Sequence, residues 1–216
     1  MDNKKRIVVF ISGRGSNLKS LIAHQEAYTI VAVISNNPDA AGLGYAREHG
    51  IETVAYAREE NQPLAEYKER LYAAARMRCP DFIVLAGFMQ IVAAPFIREY
   101  QNRIINIHPS LLPAFPGLDT HARALEARVQ EHGCTVHIVD EGVDTGPIIA
   151  QASVAVASDD TVTSLSQRVL AREHEMYPLV LHALCTGAVW CKERTICYSQ
   201  EFIATAAARG LMIKGT

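Results

Sequence analysis

The sequence has no long hydrophobic run, no Cys-x-x-Cys pair, no excess of charge of one sign and no polar low-complexity linker. Each absence removes a class of protein. The longest apolar stretch, Phe82 to Ile97, falls short of the roughly 20 residues that cross a bilayer and is broken by Gly87, Gln90 and Pro95, so no membrane span is expected. Met1-Asp2-Asn3-Lys4-Lys5-Arg6 is basic, but the apolar run behind it, Ile7 to Ile11, ends at Ser12-Gly13-Arg14-Gly15 and is too short for a secretory signal. A cytoplasmic protein is expected. The five cysteines, Cys79, Cys134, Cys185, Cys191 and Cys197, suit neither a disulfide framework nor a zinc knuckle and read as reduced, mostly buried thiols. With 21 Lys and Arg against 23 Asp and Glu, a formal charge of −2, there is no electrostatic footprint for nucleic acid or an anionic membrane, so any phosphate recognition must be local.

What is present is a globular chain of 216 residues, 49% hydrophobic, which without a linker reads as one domain. Up to about residue 110, short β-branched runs alternate with helical patterns. Arg6–Ile11, Ile30–Ser35, Glu52–Ala55, Phe82–Ala86 and Ile104–Ile107 are strand candidates, several apolar at consecutive positions as strands covered on both faces are. Between them Leu18/Leu21/Ile22 and Leu64/Tyr67/Leu71/Ala74 recur at helical spacing, and Ala40–His49 reads as a short helix. This order predicts an α/β fold with a mostly parallel, doubly wound, Rossmann-like sheet. Beyond it we expect a helix over Thr120–Arg128, strands over Cys134–Asp140 and Ile148–Val156, a long helix from Asp160 to Cys185 perturbed at Pro178, and a short terminal strand pair.

Ligands of open parallel sheets sit beyond the carboxyl ends of the strands, where Ser12–Asn17, Gly87–Gln90 and Asn106–His108 fall. In "ISGRGSNL" Gly13 and Gly15 allow close backbone approach, and Ser16 and Asn17 open a helix whose N-terminal N–H groups and dipole favour an anion. Leu18 replaces the third glycine of a dinucleotide fingerprint, Asn36-Asn37 stand where its acid belongs, and no Gly-Lys-Ser/Thr follows. A monophosphate therefore fits better than NAD or ATP; the alternative is a simple capped turn. Asn106 and His108 project from one face of an extended strand and can meet one carbonyl oxygen, a pairing suited to the oxyanion of a tetrahedral intermediate. Asp144 could supply a carboxylate to His108, or serve only as a turn residue. His108 and Ser110 lack a nucleophile elbow. His132, Cys134 and His137 are close in sequence, but Cys134 and His137 should face opposite sides of a strand, which argues against a shared metal.

Taken together, "ISGRGSNL", "VLAGFMQI", "NIHPSLLPAFPGL", "GCTVHIVDEGVDTGPIIAQ" and "REHEMYP" resemble, in order and spacing, the phosphoribosylglycinamide formyltransferases, folate-dependent enzymes of purine biosynthesis. The resemblance runs from about Arg6 to Trp190. It implies transfer of the formyl group of 10-formyltetrahydrofolate, as co-substrate and without a metal, to the amino group of glycinamide ribonucleotide. It further implies catalysis by Asn106, His108 and Asp144. Gly15, Ser16, Asn17, Pro109 and Glu173 would bind the ribonucleotide, and Met89, Gln90, Ile91, Val92 and Asp140, Glu141, Gly142, Val143, Asp144 the folate. The phosphate-binding half would span about 1–100 and the catalytic, folate-binding half about 101–190, in a monomer or homodimer without nucleic-acid or membrane partners. Leu64, Gln90, Asp119 and Leu170 depart from residues common in relatives. Competing readings are a formyltetrahydrofolate hydrolase, which usually carries a further N-terminal domain, a methionyl-tRNA formyltransferase, which carries a further C-terminal one, and a non-catalytic nucleotide-binding module.

Overall fold

The computed structural model describes residues 4–213. The chain divides into two compact units, Met1–Ile105 and Asn106–Thr216, with the boundary inside a strand. The first unit runs β1 (Lys5–Ile11), α1 (Ser16–Ala23), β2 (Tyr28–Ser35), α2 (Ala41–Glu48), β3 (Thr53–Ala55), α3 (Leu64–Arg76), β4 (Phe82–Leu85), α4 (Ala94–Glu99) and the start of β5 (Ile104–His108). β1 pairs in parallel with β2 and β4, and β2 with β3. Every residue of β1 from Ile7 to Ile11 is buried, as consecutive apolar residues require of a strand covered on both faces. The helices bury the predicted stripes, Leu18, Leu21 and Ile22 on α1 and Tyr67, Leu71 and Ala74 on α3, except that Leu64, at the first position of α3, is exposed.

The second unit holds the end of β5, α5 (Thr120–Glu126), β6 (Glu131–Ile138), β7 (Ile148–Ala155), α6 (Val162–Thr186), β8 (Val189–Lys192), β9 (Thr195–Tyr198) and α7 (Gln200–Ala208). β6 and β7 are antiparallel, with a register shift at Val136/His137, and β8 and β9 form a separate hairpin. The main sheet is the expected mostly parallel one, seven strands in the order β3-β2-β1-β4-β5-β6-β7. Past α7, Met212 exchanges two backbone hydrogen bonds with Gln151 and covers part of the open edge of β7.

Several expectations need correction. α4 lies inside the apolar stretch and starts with Pro95 in its first turn, where the missing N–H costs nothing. The expected terminal strand pair is present as β8 and β9, but α7, which follows it, was not anticipated; its N-terminus is capped by the Ser199 hydroxyl, which accepts from Phe202 N. α6 runs unbroken through Pro178, because Met176, Tyr177, Pro178, Val180 and Leu181 are all buried and packing outweighs the lost N–H. The cysteines are free, but only Cys134 and Cys185 are buried; Cys79 is exposed and Cys191 and Cys197 are half-buried. Among the described residues no helix is long and apolar enough to cross a membrane.

Candidate active site

Prolines at 109, 113 and 116 keep the chain after β5 out of any ladder, so its backbone groups need side-chain partners. They find them within the second unit. Thr120 Oγ1 donates to the Pro109 carbonyl at 2.7 Å and Ser110 Oγ to the Ala114 carbonyl at 2.6 Å. Thr135 Oγ1, on β6, donates to the Ser110 carbonyl and accepts from Leu112 N and from Gln151 Nε2, which also donates to the Leu112 carbonyl. The segment thus pinned brings the Phe115 carbonyl to 3.0 Å from His108 Nε2.

Asp144 completes the cluster from the β6–β7 loop. Its Oδ2 lies 3.3 Å from His108 Nδ1 and accepts from Gly117 N at 2.9 Å, while its Oδ1 is 3.7 Å from His137 Nε2. Both ring nitrogens of His108, which is 5% exposed, therefore face acceptors. The neighbouring His137 is buried as well. Burial holds its pKa below the ordinary imidazole value, although the Ile138 carbonyl and Asp144 oppose this. Because the Ile138 carbonyl, 3.0 Å from Nδ1, can only accept, Nδ1 carries the proton and Nε2 is free to accept. Asn106 Nδ2, at 3.1 Å, donates to it. One N–H of the Asn106 amide is spent in fixing its orientation, which leaves the second available.

In the first unit, Gly15 is the N-cap of α1 in the left-handed region (φ 73°), and a Cβ there would lie 2.8 Å from Gly42 Cα. With no capping side chain and no acid in the first turn of α1, its N–H groups and dipole suit an anion, as expected for Gly15, Ser16 and Asn17. Ser12 joins this turn to the second predicted ligand stretch: its hydroxyl donates to Asn36 Oδ1 and accepts from Met89 N at 2.7 Å. The Ile91 carbonyl accepts from Lys68 Nζ, and Ala93 N donates to the Tyr72 hydroxyl. Met89 and Ile91 are exposed, Gln90 half-buried and Val92 buried, on a main chain held from three sides.

Comparison with known proteins decides what these pieces belong to. Residues 5–181 match the formyl transferase family. The chain belongs to that family. It is 43% identical over 185 residues to the phosphoribosylglycinamide formyltransferase of Escherichia coli (strain K12), covering 84% of this chain and 87% of that protein. It is 45% identical over 190 residues to the trifunctional purine biosynthetic protein adenosine-3 of Drosophila melanogaster, covering 85% of this chain but 14% of that protein, so it spans about a seventh of that relative. The crystal structure of glycinamide ribonucleotide transformylase 1 from Symbiobacterium toebii superposes with a TM-score of 0.88 at 38% identity, covering 93% of this chain and 96% of that one.

In this formyl transferase the sequence-predicted Asn106, His108 and Asp144 share one hydrogen-bonded cluster, with Pro109 leading away from it. Glu173 lies buried on α6, near enough that its charge joins burial in pushing the Cys134 thiol up. The Asp140–Asp144 stretch is a tight loop: Asp140 Oδ1 accepts from Thr145 Oγ1 at 2.7 Å and Gly142 N at 3.2 Å, and Glu141 and Val143 are exposed. A Cβ on Gly146 would sit 1.8 Å from the Ile138 carbonyl oxygen. Asp119, one of the departures, is the N-cap of α5 in the left-handed region and makes no side-chain cap. Among the described residues no group of three His, Cys, Asp or Glu is placed to hold a metal; His132 pairs with His121 and His137 with Asn106. Sequence reasoning missed His137, Ser12 and the acceptor at Phe115. Strand alternation could have pointed to His137, but nothing local marks a backbone carbonyl or the partner of Ser12.

Proposed function

We propose that this formyl transferase moves the formyl group of 10-formyltetrahydrofolate to the amino group of glycinamide ribonucleotide. The hydrogen-bonded cluster of Asn106, His137, Asp144 and His108 is the observation that carries this reading. The amine attacks the formyl carbon, and the free Asn106 N–H together with an N–H of His108 receives the oxygen as its charge develops. His108 gives up one acceptor, the Phe115 carbonyl, to do so. Asp144 holds the imidazole in place and, through water, takes the proton that the attacking nitrogen loses and returns it to the folate nitrogen as the C–N bond breaks. The nucleophile is a free amine and the leaving group a folate nitrogen, so the step as written calls for no metal.

In the same proposal the N–H groups of Gly15, Ser16 and Asn17 hold the nucleotide phosphate, Glu173 binds the nucleotide and Pro109 borders the reacting groups. The main chain of Met89–Val92 and the Asp140–Asp144 loop take the pterin. The enzyme would act in the cytoplasm as a monomer or homodimer. The test is spectrophotometric: tetrahydrofolate formation from a 10-formyl folate is followed with and without glycinamide ribonucleotide. Release that requires the nucleotide is expected. Release without it would indicate hydrolysis instead, and none under either condition would leave a binding module.

A further inference from the structure

We infer that Arg194, in the turn of the β8–β9 hairpin, is a positioning residue for the Asp140–Gly146 loop, gripping Asp140 so that the loop is ordered before the folate arrives. The inference rests on the proposal that this loop receives the pterin. Arg194 Nη2 lies 2.9 Å from Asp140 Oδ2. The other oxygen of Asp140 already gathers Thr145 Oγ1 and Gly142 N, so one carboxylate ties three points of the loop region to the hairpin. Burial acts to raise the Asp140 pKa, but hydrogen bonds from Thr145, Arg194 and Gly142 hold it below its ordinary value. Inside the tied loop, Asp144 sits at φ 55°, in the left-handed region that aspartate enters more readily than most residues.

The hairpin supplies an independent argument. Lys192 pairs with Thr195, so Glu193 and Arg194 form a two-residue turn, and both have positive φ, 48° and 66°. That geometry favours Asn-Gly, and an arginine in its second position strains the backbone. The turn is thus not optimised for folding, and what Arg194 adds is its side chain. An exposed ion pair ordinarily contributes little because two mobile chains must be held together. Here Asp140 is already held by its bonds to the loop and the turn fixes the Arg194 backbone, so the remaining freedom lost is that of the Arg194 side chain.

The experiment compares Arg194→Gly, Asp140→Asn and the double variant with the unaltered protein. Glycine relaxes the turn, so Arg194→Gly is expected to leave Tm unchanged or higher. Amide hydrogen exchange should become faster over 141–146 and stay unchanged in β6 and β7. KM for the folate donor should rise about two- to fivefold, the range open to an exposed ion pair, with the KM for the nucleotide unaffected. In the Asp140→Asn background, Arg194→Gly should add nothing. Unchanged exchange in the loop would overturn the inference. So would an equal rise in KM with Asp140 already replaced, since Arg194 would then be touching the ligand directly, and so would a joint fall in Tm and kcat, the mark of a structural role alone. Absence of formyl transfer by the unaltered protein would refute the proposed reaction and leave the exchange result, which needs no substrate, to decide the clamp.

Discussion

His137 shows how a buried neutral histidine can serve a reaction it does not touch. It accepts one N–H of Asn106 and so aims the other. Replacing it with phenylalanine keeps the bulk and removes the acceptor, and we expect kcat to fall about tenfold, the worth of one well-placed hydrogen bond, with both KM values little changed. Steady-state kinetics with each substrate varied would check this; a rise in KM for the nucleotide without a fall in kcat would show that Asn106 is not the group affected. His108→Ala and Asp144→Ala should each lower turnover by about a hundredfold or more, because in the proposed mechanism each removes a group used in proton transfer or oxyanion stabilisation. Nucleotide affinity, measured by calorimetry, should change much less; an equal collapse of binding and turnover would refute the assigned roles. At this scale the sequence was informative where side chains stand in a recognisable pattern, as with Asn106 and His108, which the fold brings into one hydrogen-bonded cluster with Asp144. It was silent on Phe115, whose part is played by a carbonyl that every residue possesses.

Elements were legible to the extent that they bury a periodic face. β1, α1 and α3 agree with their patterns because apolar spacing and burial are the same fact seen twice. α4 was missed because its six residues are too few to show a period and its proline reads as a breaker. β6 starts at Glu131, before the expected Cys134, because Glu131, His132 and Gly133 pair with Ala155, Val154 and Ser153 across the ladder, a partnership no local pattern reveals. The β6–β7 loop offers a test of how closely an element can be built. Gly146→Ala would place a methyl group 1.8 Å from the Ile138 carbonyl oxygen, and since both partners are backbone the loop must shift. We expect a loss of about 1–3 kcal/mol in urea unfolding, with a larger fractional loss of turnover because Asp144 moves with the loop. Unchanged activity in a destabilised variant would separate the loop from catalysis.

For the whole molecule, the strand–helix alternation foretold the sheet, whereas the internal electrostatics emerged only with the fold. His121 and His132 meet at 3.1 Å, and burial, followed by the charge of the other ring, lowers the His132 pKa to about 4; burial also lowers that of His121. Unfolded, both would titrate at ordinary values near 6.5. Below that pH the unfolded chain takes up protons that the folded one refuses, so stability is intact above it and declines as pH falls from about 6.5 towards 4. Tm measured across that range should drop, and His132→Phe should flatten the drop; a wild-type Tm level from pH 7 to 4 would contradict the burial of neutral imidazoles.

Gln151 belongs to two structures at once. Its main chain is stitched to Met212, and its side chain holds Leu112 and Thr135 in the segment that shelters His108. A fusion partner or surface attachment joined immediately behind Met212 would therefore pull on the segment around His108, whereas the same load carried on a flexible spacer would leave it at rest.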